Sequence, residues 1–121
     1  MKDSSNNNSL GFRDIIPGDI LEDIEKVEEK IESCYSVEPV LIEKIGKHVM
    51  KSGGKRLRPI LHLLCSRFFD HRGEDSITVA ACSELVHSST LLHDDVIDYA
   101  LTRRGKPSAN VLWGNKSSIL V

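Results

Sequence analysis

Apolar residues recur at helical spacing through most of the chain and predict an all-α protein. Directly after Pro17-Gly18, Ile20 and Ile24 begin a run of apolar residues that fall on one face of a first helix. Asp19 and Glu22 stand three residues apart at the start of this run and predict a capping box. We therefore expect the first helix to begin at Asp19.

Three further helices are predicted along the chain. The second has Pro39 in its first turn and ends at Ser52-Gly53-Gly54. The third opens at Pro59 and carries apolar residues on most of its sides, so we expect it to be deeply buried. The fourth and longest runs from about Asp75 to Asp98.

Downstream of the fourth helix, a loop containing Arg103–Pro107 leads to a short turn capped by Ser108. Neither strand alternation nor a hairpin dipeptide is present, so no strand is predicted. Residues 1–17 are polar and rich in Asn and Ser, and we expect a mobile tail there. Residues 18–121 end just inside a new apolar pattern, which predicts the N-terminal part of a longer helical domain.

Composition and charge narrow the functional classes. The 121 residues are 40% hydrophobic and 28% charged, as in an ordinary globular domain. A net charge of -2 and 5% aromatic residues argue against a nucleic-acid-binding protein. No window approaches the roughly 20 apolar residues of a membrane span, and the first residues lack a targeting pattern, so a cytoplasmic location is expected. Three widely spaced cysteines predict reduced, buried thiols.

An acidic run near the end of the fourth helix is the strongest candidate for chemistry. Asp94 and Asp98 stand four residues apart, which places them about 6 Å from each other on one helix face, and Asp95 is turned away. Paired carboxylates suit Mg²⁺, which fills its remaining positions with water and phosphate. The simpler interpretation is a solvated acidic patch. His87 lies on the same face, however, and this alignment favours the wall of a polar cavity.

Two basic segments flank this acidic helix. Lys51–Pro59 places cations beside glycines at the start of the third helix, where backbone N–H groups and the helix dipole favour anions. Arg103 and Arg104 follow Asp98 closely enough to bind a phosphate held by metals there. Each segment alone could be a solvated charge run, but together they predict a diphosphate site.

Four motifs in this order and spacing resemble the polyprenyl synthetases, the trans-isoprenyl diphosphate synthase family. They are Gly53-Gly54-Lys55-Arg56-Leu57-Arg58-Pro59, Glu84-Leu85-Val86-His87, Leu91-Leu92-His93-Asp94-Asp95-Val96-Ile97-Asp98 and Arg103-Arg104-Gly105. The resemblance covers roughly Asp19 to Val121. It implies an all-α bundle around a deep cavity, and an enzyme that joins isopentenyl diphosphate to an allylic diphosphate with Mg²⁺.

The resemblance also implies a role for individual residues. Isopentenyl diphosphate would be held by a group of four, Lys55, Arg58, His87 and Arg104. The allylic diphosphate would be held through Mg²⁺ on Asp94 and Asp98, and gripped by Arg103. Because ionisation of an allylic C–O bond concentrates negative charge on the diphosphate, these metals and arginines would be the catalytic groups.

Product length is predicted from the residues one turn before the acidic run. Ser89 and Thr90 are small, whereas relatives that make short products carry a bulky aromatic there or extra residues inside the acidic motif. We therefore expect a long, octaprenyl-like product that serves as a quinone side chain.

One departure from the family pattern opens alternatives. Members carry a second aspartate-rich motif on a later helix, but no acid follows Asp98 in this chain. We therefore expect no activity from these residues alone. The complete enzyme is expected to be a homodimer; alternatively, a complementing C-terminal fragment is expected as the partner of this chain. The chain would otherwise be a non-catalytic remnant or a partner subunit of a heteromeric synthase. A terpene cyclase is disfavoured, because it has no second diphosphate for the basic segment to hold.

Overall fold

The computed structural model describes residues 11–36, 40–51 and 54–121, and helices make up most of this part. A 3-10 turn at Phe12–Ile15 precedes the regular elements. These are α1 (Gly18–Tyr35), α2 (Val40–Lys51), α3 (Leu57–Phe68), α4 (Glu74–Ile97), β1 (Thr102–Arg103), β2 (Lys106–Pro107), α5 (Ala109–Trp113) and α6 (Asn115–Leu120). The predicted all-α class is confirmed. Within the described ranges, no helix combines the length and apolar character needed to cross a membrane.

The main core lies where α1, α3 and α4 meet. Its buried side chains are Ile20, Ile24, Val27 and Ile31 from α1, Ile60 and Leu63 from α3, and Ile77, Ala80 and Ala81 from α4. The apolar face predicted for the first helix is the face that α1 buries, because residues three and four apart share one side of a helix. The two alanines let α1 and α3 approach α4 closely.

The start of α1 differs from the prediction. The helix begins at Gly18 with Pro17 at the N-cap, and no side chain caps it. Asp19 lies in the first turn, where its carboxylate accepts a hydrogen bond from the Ile20 N–H at 3.0 Å and pairs with Arg67. The predicted capping box is therefore wrong, although an acid in the first turn still stabilises the helix dipole.

The boundaries of the other long helices are close to those predicted. Pro39 and Ser52-Gly53 lie outside the described residues, and α2 occupies the interval between them. α3 starts two residues before Pro59, which fits in the first turn because the missing N–H has no partner to lose there. α4 is the longest element, and Asp98 is its C-cap.

The deep burial predicted for the third helix is wrong. One face of α3, with Ile60 and Leu63, packs against the core, but the opposite face is open. Leu61 and Phe68 are 60% and 82% exposed. The apolar residues on most sides of this helix therefore reflect one buried face and one uncovered face.

A two-residue hairpin follows α4, where no strand was predicted. β1 and β2 pair antiparallel, with Thr102 opposite Pro107. The two residues of the turn, Arg104 and Gly105, both have left-handed backbone, with φ of 51° and 77°. Two positive φ angles are the signature of a type I′ hairpin turn. The signal was hidden because arginine replaces the usual asparagine or aspartate.

The hairpin is fixed to the end of α2. The Lys106 ammonium donates a hydrogen bond to the Lys51 carbonyl at 2.7 Å, and His48 Nε2 donates to the Pro107 carbonyl at 2.8 Å. Ser108 stands at the N-cap of α5 as predicted, but its hydroxyl donates to the Ala100 carbonyl at 2.8 Å instead of capping. These contacts hold the loop after α4 against α2.

Two further expectations concern the tail and the cysteines. Residues 1–10 of the predicted tail lie outside the described residues; beyond them, Phe12 and Ile16 pack against the main core. Cys34, Cys65 and Cys82 are free, but all three are exposed, so their predicted burial is wrong. They occupy outward positions of α1, α3 and α4.

Candidate functional site

An open cavity of about 610 Å³ lies between the start of α3, the middle of α4 and the hairpin turn. We call it the basic cavity, and its lining residues are Gly54, Lys55, Arg56, Leu57, Arg58, Glu84, His87 and Arg104. Four cationic side chains therefore face one carboxylate. The four residues that the family resemblance assigned to isopentenyl diphosphate all line it.

The first turn of α3 faces the basic cavity. No side chain caps this helix, and Arg56 occupies the N-cap position. The N–H groups of the first turn have no partner within the helix, and Pro59 contributes none. An uncapped helix start among cations is a favourable place for an anion, since the dipole and the side-chain charges act in the same direction.

Gly54 lets the hairpin approach this helix start. A Cβ atom on Gly54 would lie 2.7 Å from Nη1 of Arg104, and the φ of Gly54 is +141°. The absence of a side chain therefore brings the guanidinium of Arg104 against the backbone of the basic segment. This contact joins cations from two segments far apart in sequence.

His87 lies between these cations on α4. Burial lowers the pKa of His87 below its ordinary value, and the charges of Arg58 and Arg104 lower it further. Glu84 acts in the opposite direction. An anion in the basic cavity would offset the arginines and favour the protonated imidazole.

Arg56 differs from the other cations of the cavity because it is bound to acids. Its guanidinium contacts Glu28 of α1 through Nε, and through Nη2 at 3.3 Å, and it donates to Glu84 of α4 through Nη1 at 3.2 Å. The side chains of Arg56 and Glu84 are each 9% exposed. Burial by itself lowers the pKa of Arg56, but the bond to Glu28 and the two carboxylate charges outweigh it and raise that pKa.

The three aspartates at the end of α4 have two different environments. Asp94 and Asp98 are exposed, whereas Asp95 is buried and accepts hydrogen bonds from Arg103 Nε at 3.0 Å and Arg103 Nη2 at 2.5 Å. The hydrogen bond to Asp95 raises the pKa of Arg103, and the charges of Asp94 and Asp98 add to this effect. Asp95 therefore binds a protein cation, and the predicted separation of the two faces is observed.

The exposed pair fits a hard divalent cation. Within residues 11–36, 40–51 and 54–121, no ion pair involves Asp94 or Asp98, and the last turn of α4 has no basic residue. A helix C-terminus adds partial negative charge at this point. The described residues contain no cluster of three or more metal-binding side chains, so a cation here needs additional ligands. Mg²⁺ commonly takes one or two carboxylates and completes its shell with water and phosphate.

A smaller cavity of about 30 Å³ lies beside the basic cavity. Arg56, Glu84, His87 and Arg104 line it as well as the basic cavity, and Asp95 and Arg103 line only the smaller one. Asp94 and Asp98 line neither. The structure thus brings the predicted cations together and places the predicted metal carboxylates at a neighbouring exposed edge.

Neither a separate role for Arg56 and Glu84 nor the pairing of Asp95 with Arg103 was predicted from the sequence. Each of these residues acts through a pairing between different elements, which local spacing does not reveal. Of the predicted chain-length residues, Ser89 is half-buried and Thr90 is exposed, and the Thr90 hydroxyl donates to the His87 carbonyl at 2.7 Å.

The fold and this arrangement define a helical protein with a basic cavity beside an acidic helix end. Residues 39–121, more than half of the chain, match the sequence profile of the polyprenyl synthetase family. The chain belongs to this family. Octaprenyl diphosphate synthase of Escherichia coli is 44% identical over 81 residues, which is 67% of this chain and 25% of the relative.

Two further similarities agree with this assignment. Heptaprenyl diphosphate synthase component 2 of Bacillus subtilis is 38% identical over 95 residues, or 78% of this chain and 27% of the relative. The crystal structure of a polyprenyl synthase from Caulobacter crescentus, complexed with calcium and isoprenyl diphosphate, has a TM-score of 0.80 and 34% identity. That match covers 83% of this chain and 30% of the other. The chain thus spans about a quarter of the length of the Escherichia coli and Bacillus subtilis synthases.

Proposed function

We propose that this chain forms the diphosphate-binding surface of a trans-prenyltransferase that condenses isopentenyl diphosphate with an allylic diphosphate. The observation that carries the proposal is the basic cavity, where cations from two distant segments meet an uncapped helix start. A diphosphate carries several negative charges and many acceptor oxygens, so it suits guanidinium, ammonium and backbone N–H donors together. The bound diphosphate of the Caulobacter relative supports this ligand class.

Within this proposal, the basic cavity binds isopentenyl diphosphate through Lys55, Arg58, His87 and Arg104. These side chains hold and orient the substrate and neutralise its charge. Burial lowers the pKa of His87 most, and the diphosphate would offset the further lowering by Arg58 and Arg104, so binding would favour protonation of His87.

The allylic diphosphate is proposed to bind at the end of α4. Asp94 and Asp98 would hold Mg²⁺, and this metal would stabilise the departing diphosphate when the allylic C–O bond ionises. The charges of these acids raise the pKa of Arg103, and Asp95 holds one edge of its guanidinium. Arg103 would stabilise the negative charge of the leaving group without transferring a proton to it.

Diphosphate titration calorimetry with Mg²⁺ present tests the proposal. We expect the chain to bind inorganic diphosphate, and the double variant Lys55→Gln/Arg58→Gln to bind at least about tenfold more weakly, since each charge-assisted hydrogen bond contributes about 1.5–3 kcal/mol. The matched control is Lys44→Gln/Lys116→Gln, which removes the same charge at exposed positions outside the cavity. Equal weakening by both pairs would show that only net charge matters and would refute the site.

A long-chain product for quinone biosynthesis is the finer form of this proposal. Ser89 and Thr90 have small side chains, and octaprenyl and heptaprenyl synthases are among the relatives. In a fusion that supplies the remaining helices of the family domain, Ser89→Phe/Thr90→Phe should shorten the product. An unchanged product distribution would show that the growing chain does not pass these residues.

The second candidate function is that of a subunit in a heteromeric synthase. The relative from Bacillus subtilis is named as a component, and α3 leaves an apolar face uncovered. The chain alone, incubated with Mg²⁺, isopentenyl diphosphate and farnesyl diphosphate, should then elongate nothing, since it provides only two exposed carboxylates for the metals. Turnover by the chain alone would instead favour a self-sufficient enzyme.

A further inference from the structure

Glu84 places a carboxylate on the wall of a cavity that otherwise attracts anions. It lines both cavities and is 7% exposed. A buried, unpaired carboxylate at this position would repel a diphosphate and would itself be costly. Its described partner is Arg56, which donates from Nη1 at 3.2 Å. The charge of Glu84 is therefore acceptable at an anion site only while this contact lasts.

The guanidinium of Arg56 lines the basic cavity but is already bound to carboxylates. Its Nε and Nη2 contact Glu28 and its Nη1 contacts Glu84, so each of its three nitrogens has a carboxylate partner. The two glutamates belong to α1 and α4, and each is 28 residues from Arg56. Arg56 thus links the start of α3 to both neighbouring helices.

The backbone conformation at Arg56 accompanies a difference in burial between Arg56 and the nearby cations Lys55 and Arg58. Arg56 has left-handed backbone, with φ 56° and ψ 35°, directly before the first turn of α3. Its side chain is buried while Lys55 and Arg58, on either side, are exposed. A left-handed residue costs about 1–2 kcal/mol unless it is glycine, so the buried ion pairs must hold this conformation in place.

We propose that Arg56 is a positioning residue, which neutralises Glu84 and anchors the backbone so that Lys55 and Arg58 face the anion, and which does not itself bind substrate. The proposal rests on the proposed function for the identity of the anion. It assigns opposite roles to adjacent cations of one motif: Lys55 and Arg58 are ligands, and Arg56 is a counter-charge.

Variants that replace a charged side chain with glutamine distinguish a positioning role of Arg56 from direct binding of substrate and from a purely structural role. The variants are Arg56→Gln, Glu84→Gln and the double Arg56→Gln/Glu84→Gln. Arg67→Gln is the matched control, because Arg67 is a largely buried arginine paired with Asp23 at 2.6 Å and lies outside both cavities. The readouts are the affinity for inorganic diphosphate by calorimetry and the pKa of His87 by NMR titration in the absence of any ligand.

We expect Arg56→Gln to bind diphosphate about tenfold more weakly, which corresponds to about 1.4 kcal/mol. The double variant should recover most of this loss because the repelling carboxylate has gone. Glu84→Gln alone should bind at least as tightly as the wild type, and Arg67→Gln should bind normally. The pKa of His87 should rise in Arg56→Gln and return toward its original value in the double variant, since the groups around it are Glu84, Arg58, Arg103 and Arg104.

Three outcomes would overturn the proposal. If the double variant binds as weakly as Arg56→Gln, Arg56 is itself a ligand. If Glu84→Gln weakens binding, Glu84 does not oppose the anion. If the pKa of His87 is the same in Arg56→Gln as in the wild type, Glu84 was not neutralised by Arg56. Because the His87 titration needs no diphosphate, a wild-type chain that binds none would refute the proposed function while leaving this test of Arg56 intact.

Discussion

Asp95 shares its motif with two exposed aspartates but contacts an arginine of the chain itself. From its helical face alone, the sequence predicts that replacing Asp95 costs less than replacing Asp94 or Asp98. The structure shows that Asp95 has a role of its own, because it accepts hydrogen bonds from two guanidinium nitrogens of Arg103. Loss of Asp95 should therefore act through Arg103.

We predict that Asp95→Asn destabilises the fold by about 1–3 kcal/mol, as expected when a buried charged hydrogen bond is lost. It should also weaken diphosphate binding about tenfold, because Arg103 is no longer oriented. Thermal melts and calorimetry measure the two effects.

Asp23→Asn is the matched control for this variant, since Asp23 pairs with Arg67 away from the cavities. It should lower the melting temperature and leave the affinity unchanged. An Asp95→Asn protein that binds diphosphate as well as the wild type would contradict a positioning role for Asp95.

Single residues were predictable where their role depends on helical spacing. The distinction between Asp95 and its exposed neighbours followed from the turn of about 100° per residue alone. Arg56 was not predictable, because both of its partners are 28 residues away on other helices. A pairing of that kind becomes visible only when α1, α3 and α4 are packed together.

The hairpin is the element that brings the two arginines after α4 to the site. Its turn has left-handed backbone at Arg104 and Gly105, and nothing lies within 4 Å of the position of a Cβ on Gly105. The cost of a side chain there is therefore conformational and not steric.

We predict that Gly105→Ala destabilises the chain by about 1–2 kcal/mol, the penalty for left-handed backbone in an L-residue. The melting temperature should fall by several degrees. Gly18→Ala is the control, because Gly18 is the first residue of α1 and a Cβ there also meets nothing within 4 Å. Equal melting temperatures for Gly105→Ala and the wild type would mean that the turn does not keep its left-handed geometry in solution.

Elements differed in how far the sequence determined them. The long helices were predicted to within about two residues because their apolar periodicity extends over several turns. The hairpin was missed because two-residue strands have no periodicity and Arg-Gly is an unusual turn sequence. It is fixed by contacts to α2, such as the Lys106 hydrogen bond to the Lys51 carbonyl.

At the scale of the molecule, the exposed side of α3 is a large apolar surface. It includes Leu57, Leu61, Leu64 and Phe68, which follow each other at spacings of three and four residues. Contiguous patches of this kind favour association, since apolar area is removed from water. The apolar residues of α3 are evident in the sequence, but their pattern does not show which face of the helix is buried and which is exposed.

We predict that the chain self-associates with increasing concentration through this face. The variant Leu61→Glu/Phe68→Glu should shift it toward a monomer in sedimentation velocity experiments, with little loss of thermal stability because both residues are exposed. The variant Lys44→Gln/Lys116→Gln, at exposed positions on other elements, changes the net charge by the same amount and controls for charge. A monomeric wild-type chain at all concentrations would contradict this prediction.

Arg104 has a consequence for protein engineering. Type I′ hairpin turns favour asparagine at their first position. A redesign guided by consensus or stability would therefore replace Arg104 with asparagine and stabilise the hairpin. The same change would remove the guanidinium that lies against Gly54 on the wall of the basic cavity. A library selected only for heat resistance should therefore drift away from arginine at this position, whereas one selected for diphosphate retention should keep it. The turn therefore combines an unfavourable backbone conformation for arginine with a charge at the cavity wall.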